Sequence, residues 1–267
     1  MKIRTIALST FGSLVRNRLL IVFGVLFVCT VLLMMTPLLG AKAIAKMGQA
    51  QQAEAMVMGM VSAIMFFVSG TGSLLAAWCA ADAVASEMKS GTILAVMARP
   101  VRRWEFLLGK YAGVMLLMSM YVVMMYGLSW VLAWIGGERL HATTWVVLAY
   151  PMVRYAVYSA MAMALVTVLH PVMTMGITLI VAVLALIVQP TGQAVSSHWK
   201  YLRVPLWITL PSTSLLSEER FLTIAHASVK QTGWLQHLTT LGYGLDYALV
   251  LVLIAMWSFH YGGLTRD

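Results

Sequence analysis

Apolar residues along this chain run in long blocks, without the strict alternation that a half-buried strand would show. The blocks cover residues 19–39, 55–81, 111–135, 144–169, 172–188 and 245–261. Each approaches or exceeds the roughly 20 apolar residues that a helix needs to cross hydrocarbon. In lipid a helix satisfies its own backbone hydrogen bonds, so the pattern predicts an all-α integral membrane protein with six transmembrane helices. The breaks between blocks agree with helix ends. Gly136-Gly137-Glu138-Arg139 closes the third block, and Gln189-Pro190 stops the fifth. His170-Pro171 turns the chain between the fourth and fifth, with Pro171 suited to a first helical position. Near the middle of the second block, Ser69-Gly70-Thr71-Gly72-Ser73 offers small residues against which a neighbouring helix can pack closely.

Three segments stand apart from the spans. Residues 1–18 set Ile3, Ile6, Leu8, Phe11, Leu14 and Val15 among Lys2, Arg4, Arg16 and Arg18. At helical spacing most of these apolar side chains share one broad face, which predicts an amphipathic helix on the membrane surface. A signal peptide is the alternative, with Ala41-Lys42-Ala43 as a small-residue cleavage pattern. The block 19–39 is longer than the roughly 7–15 residues of a cleavable apolar core, so it reads as the first span. Within residues 189–243, Pro211 breaks an apolar run, and Ser217 before Glu218 and Glu219 has the form of an N-cap with an acidic first turn. The helix it would start is too polar to cross, which predicts short interfacial or re-entrant helices in an extracytoplasmic segment. The third segment is the charged hairpin 82–110.

Composition agrees with the pattern: 61% of residues are hydrophobic and 10% charged, against about 25% charged in soluble domains. The net charge of +9 does not point to nucleic acid, because no Lys/Arg run is interleaved with aromatics. The cations instead mark topology. Lys2, Arg4, Arg16, Arg18, Lys89, Arg99, Arg102, Arg103, Lys110 and Arg266 fall on one side of a six-span chain, with both termini. Lys42, Lys46, Arg139, Lys200, Arg203, Arg220 and Lys230 fall on the other, the last four in a long segment that counts little toward orientation. The first side is therefore expected to be the cytoplasm, with the chain a single transmembrane domain, 1–267, in the cell's inner (cytoplasmic) membrane. Cys29 and Cys79 lie in apolar blocks without redox or metal spacing and read as small buried hydrophobes.

Catalytic chemistry finds no footing. Gly109-Lys110 is followed by Tyr111 and lacks the upstream glycine of a phosphate-cradling loop, so the chain holds no ATPase site of its own. Gly70-Thr71-Gly72-Ser73 does not match a GxSG intramembrane protease serine. No nucleophile is paired with a base, and the six His are scattered, which leaves neither a catalytic nor a metal site. The 21 Met, several of them in the second and third spans, read either as soft Cu(I) ligands or as flexible apolar filler. Arg154 interrupts the fourth span three residues after Pro151. A charge near mid-span costs about 2.5 kcal/mol or more, so Arg154 either faces a polar cavity or snorkels to the outer interface.

The hairpin carries the most specific signal. Span two continues into water as far as Glu87, Ser90-Gly91-Thr92 supplies a break and a new N-cap, and Arg99-Pro100 turns the chain after a short helix. Arg102, Arg103 and Glu105 mark the interface, and Lys110 is expected to snorkel outward. Taken alone, these residues describe either a solvated loop whose charges fix topology or a docking element.

Glu87-x-x-x-Gly91-Thr92, then Arg99-Pro100-x-x-Arg103, then Gly109-Lys110, resembles the signature of permease subunits of ABC-2 type ATP-binding cassette exporters. The likeness extends to the surface helix, the six spans and the long outer segment. It implies that two permease copies, identical or close homologues, pair within membrane lipid to form a translocation pathway. Each copy would dock a separate ATP-binding cassette ATPase that carries the ATP and Mg, the permease binding no cofactor directly. By the same resemblance the helix at 92–98 is a coupling helix, the surface helix is a second contact, and ATPase closure tilts spans one, two and five. Glu87, Gly91, Thr92, Arg99, Pro100, Arg103, Gly109 and Lys110 become the coupling residues. Arg154 lies outside that pattern and is a candidate for the translocation path through its mid-span charge alone. A secondary transporter is the competing class, but it calls for inverted repeats and mid-membrane carboxylates, whereas Asp82 and Asp246 lie near span ends.

Overall fold

The computed structural model describes residues 2–16, 21–22, 24–25, 28–29, 52, 68, 70–87, 102–136, 144–188 and 234–262. Among these, the ordered elements are helices: α1 (Lys2–Val15), α2 (residues 70–87), α3 (Arg103–Gly136), α4 (Thr144–Val166), α5 (Pro171–Val188) and α6 (Trp234–Gly262). Arg103–Leu128 of α3 and Leu241–Phe259 of α6 are long and apolar enough to cross a membrane. Most of the expected first span, the coupling helix at 92–98 and the interfacial helices expected within 189–243 lie outside the described residues.

Helix ends follow local hydrogen-bond chemistry. At the start of α3 the Arg102 amide donates to Glu105 Oε2 at 3.0 Å, half of a capping box, and the Phe106 amide donates to Arg102 O at 3.2 Å. His170 caps α5: its carbonyl accepts from the Thr174 amide at 3.0 Å and its Nδ1 from the Val172 amide at 3.4 Å. Pro171 takes the first helical position, where no N–H is needed. α4 runs through Pro151 as one helix.

α3 is antiparallel to α2 and α4, while α4 and α6 run parallel. The α4–α6 register is constant along the contact: Val153 meets Gly244, Ala156, Val157 and Ala160 pack with Ala248 and Val252, and the Thr167 and Ser258 hydroxyls meet at 3.0 Å. A Cβ on Gly244 would collide with Val153. Small residues on both helices thus set the approach, as in membrane helix pairs, where close van der Waals packing replaces a hydrophobic driving force. The C-terminal turns of α2, α4 and α6 gather at one end with the N-terminal turns of α3 and α5. There Ala81, Val84, Leu107, Met163, Val166 and Ala255 are buried together, and the Phe106 and Phe259 rings stack with centroids 6.2 Å apart.

α1 lies on this end of α3. A Cβ at Gly109 would meet Ile6 Cγ2 at 2.7 Å, and one at Gly113 would meet Ala7 O at 2.7 Å. On α1, Ala7, Thr10 and Leu14 are buried against the bundle, while Leu8 and Val15 are exposed. Thr10 tolerates burial because its hydroxyl donates to Ile6 O at 2.8 Å. Close approach to two glycines selects small side chains over the most apolar ones. The cysteines divide as well: Cys79 is buried as expected, but Cys29 is exposed.

Gly113→Leu is expected to lower stability by about 1–3 kcal/mol through overpacking and to release α1 to proteolysis. Gly127→Ala, where a Cβ meets nothing within 4 Å, should leave both unchanged; thermal unfolding of the purified protein and protease mapping read the two effects.

Candidate functional site

Glu87 closes α2 and Lys110 lies in the second turn of α3, and the two form an ion pair across the base of the hairpin. Side-chain exposure is 7% for Lys110 and 25% for Glu87. Lys110 therefore does not snorkel outward as expected. Its ammonium is turned inward, with the Phe106 ring centroid 5.6 Å away, a distance at which a ring face attracts a cation. In a low-dielectric setting the pair offsets much of the cost of burying each charge, but either charge alone would be strongly penalised.

The other residues of the expected signature divide by position. Gly91, Thr92, Arg99 and Pro100 lie outside the described residues. Arg103 opens α3 as a half-buried side chain. Gly109 is adjacent to Lys110 but faces α1, so the two residues of one dipeptide serve two contacts: α3 to α1 through Gly109, and α3 to α2 through Lys110. The structure thereby joins Glu87, Gly109, Lys110 and the surface helix at one end of the bundle.

Arg154 is 3% exposed on α4. Tyr150, Tyr155 and Tyr158 of the same helix are fully buried, as is Tyr126 of α3. Arg154 is thus turned into the bundle, ten residues into a helix that begins at Thr144. The methionines show the same inward use, with Met118 and Met163 fully buried as core filler, although Met120 and Met124 are exposed on α3. Met56, Met58 and Met60 lie outside the described residues.

A hydroxyl cluster went unnoticed in the sequence. Tyr121 and Tyr155 both donate to the backbone carbonyl of Val68, at 3.3 and 3.1 Å, and Thr71 donates to it at 3.3 Å. The Tyr121 and Thr71 hydroxyls lie 3.0 Å apart, and the two tyrosine rings meet edge to face at 6.1 Å. Gly72 makes room for this, since a Cβ there would overlap the Tyr155 phenol. The expectation that small residues in the second block admit a neighbour therefore holds at Gly72. The signal that could have located the partners is the run of tyrosines in the fourth span, at positions otherwise apolar.

Comparison with known families adds one finding. Residues 4–264 match a family model described as ABC-2 family transporter protein. No curated protein matches the chain.

Glu87→Gln is expected to destabilise the protein by about 3 kcal/mol, the lower end for a broken buried pair, because Glu87 retains some solvent contact. Replacing both partners, Glu87→Gln with Lys110→Met, should recover most of that loss in thermal unfolding. In a background with Cys29→Ser, Arg154→Cys is expected to resist a water-soluble thiol reagent from either side of the membrane, whereas Arg102→Cys at an exposed position labels fully. Labelling at 154 would show a water-filled route into the bundle.

Proposed function

The chain belongs to the ABC-2 family of transporter proteins, multi-pass membrane permeases, and from that premise we propose that it is the membrane half of an ATP-driven exporter. In this reading two copies, or one copy and a close homologue, form the translocation pathway as a dimer with six spans each. Each copy docks a separate ATP-binding cassette ATPase that binds ATP and Mg. The permease contributes no catalytic group.

The observation that carries the reading is the Glu87–Lys110 brace. Residues 88–101 connect two helical arms whose bases are joined by an ion pair and packed into the core through Val84 and Leu107. A segment mounted in this way transmits a push from an ATPase into α2 and α3, where a loosely tethered loop would absorb it. Gly91 and Thr92 would then break and cap the coupling helix, Pro100 would turn it back, and Arg99 and Arg103 would supply polar contacts to the ATPase. α1, held at the same end through Gly109 and Gly113, offers the second contact. The density of Lys and Arg in residues 1–18 and 82–110 supports placing this end, and both termini, in the cytoplasm.

The test is copurification of the tagged chain with its ATPase, followed by ATP hydrolysis in reconstituted vesicles. Arg103→Ala should lower transport-coupled hydrolysis several-fold while membrane insertion stays intact. Equal hydrolysis by variant and parent would count against the coupling assignment, and transport by the purified chain without any ATPase would favour a secondary transporter.

A further inference from the structure

The α2 and α5 helices do not close on each other at the hairpin end of the bundle. Between the last turns of α2 and the first turns of α5 lies a cavity of about 530 Å³, within the roughly 300–1,000 Å³ range of small-molecule sites. Ala81, Ala85, Val172 and Met175 line it, and Trp78 and Asp82 lie within the same lining. Trp78 and Asp82 are four residues apart on α2, so an indole and a carboxylate are stacked on one helix face. Trp78 and Val172 are 37% and 73% exposed, which leaves the cavity open on one side.

These features select for one kind of guest. A carboxylate beside an indole favours a cation, the first through charge and the second through its negative ring face, which attracts ammonium groups and is most effective in Trp. Apart from Ser86, the remaining lining is apolar, so a small hydrated ion would leave most of it uncovered. A guest with both a cationic centre and an apolar body satisfies each part. Depth agrees: Asp82 is five residues before Glu87, near the level where the bundle meets water, and Trp78 is one turn further in. We propose that this cavity binds amphiphilic cations, compounds that join an amine or quaternary onium group to an apolar body, with Asp82 and Trp78 holding the charge and Val172 and Met175 the apolar part. The inference rests on the permease reading only where it makes such compounds the transported cargo; binding itself requires the isolated chain alone.

The experiment uses radiolabelled tetraphenylphosphonium and its isosteric anion tetraphenylborate, with the purified full chain in detergent and binding read by equilibrium dialysis. Tetraphenylphosphonium should bind saturably, and tetraphenylborate should bind at least tenfold more weakly. Asp82→Asn should weaken phosphonium binding tenfold or more and remove the preference for the cation, with Asp82→Glu restoring much of it. Trp78→Phe should keep most of the affinity and Trp78→Leu lose several-fold. If Asp82→Asn does not accumulate, Val172→Trp, at an exposed rim position, should block binding while thermal unfolding stays unchanged. Equal binding of cation and anion, or undiminished phosphonium binding by Asp82→Asn or by Val172→Trp, overturns the proposal. That failure would leave copurification with an ATPase unaffected, so the site and the permease reading fail separately.

Discussion

The buried pair of Glu87 and Lys110 is the constraint on which the hairpin end depends. In a chain with 10% charged residues, two opposite charges turned toward each other inside a helix bundle fix the relative height of two helices. A shift of one helical turn, about 5.4 Å, would leave each charge without its counterpart. Apolar side chains tolerate such slips, because one methyl group replaces another. The pair therefore specifies register where Val84, Leu107 and their neighbours supply only contact area, a use of buried ions known from other helical assemblies.

Elsewhere the bundle relies on shape. Gly109, Gly113 and Gly244 each bring a partner helix close enough to exclude a side chain, and Gly72 does the same for the phenol of Tyr155. Among the described residues, several hydroxyls serve their own helix: Ser9, Thr10, Ser13, Ser119, Ser159, Thr167 and Thr178 all bond carbonyls three or four residues back. Such bonds satisfy a polar group in an apolar setting without tying one helix to the next. Among the described residues, cross-helix polar links stand at a few points, such as Tyr111 to the Ala156 carbonyl at 3.0 Å and Thr167 to Ser258.

Much of this was legible in the sequence, for reasons that differ by residue. Blocks of apolar residues announce helices because hydrocarbon admits little else, and Pro171 marks a helix start because a first-turn position needs no N–H. The family is legible in the hairpin through the spacing of Glu87, Gly91-Thr92, Arg99-Pro100, Arg103 and Gly109-Lys110. Lys110 was misread, since snorkelling depends only on the residue's own stem, whereas its inward turn depends on Glu87 on another helix. The face that α1 packs on α3 was not legible for a related reason: hydrophobicity ranks Leu8 above Thr10, but proximity to Gly113 places Thr10 in that contact. The cavity beside Asp82 was not legible at all, because a void between α2 and α5 is a property of packing, and Trp78 carries no mark that separates it from a lipid-facing indole.

The Val68 carbonyl, with two phenols and a threonine hydroxyl converging on it, has a mechanical meaning. It lies two residues before α2 begins, toward the opposite end of that helix from Glu87. Anchorage at both points forbids α2 to slide along its axis like a piston. A sliding step would break the hydrogen bonds at Val68 and the ion pair at Glu87 together, and the gap toward α5 beside Asp82 lies between those two anchors.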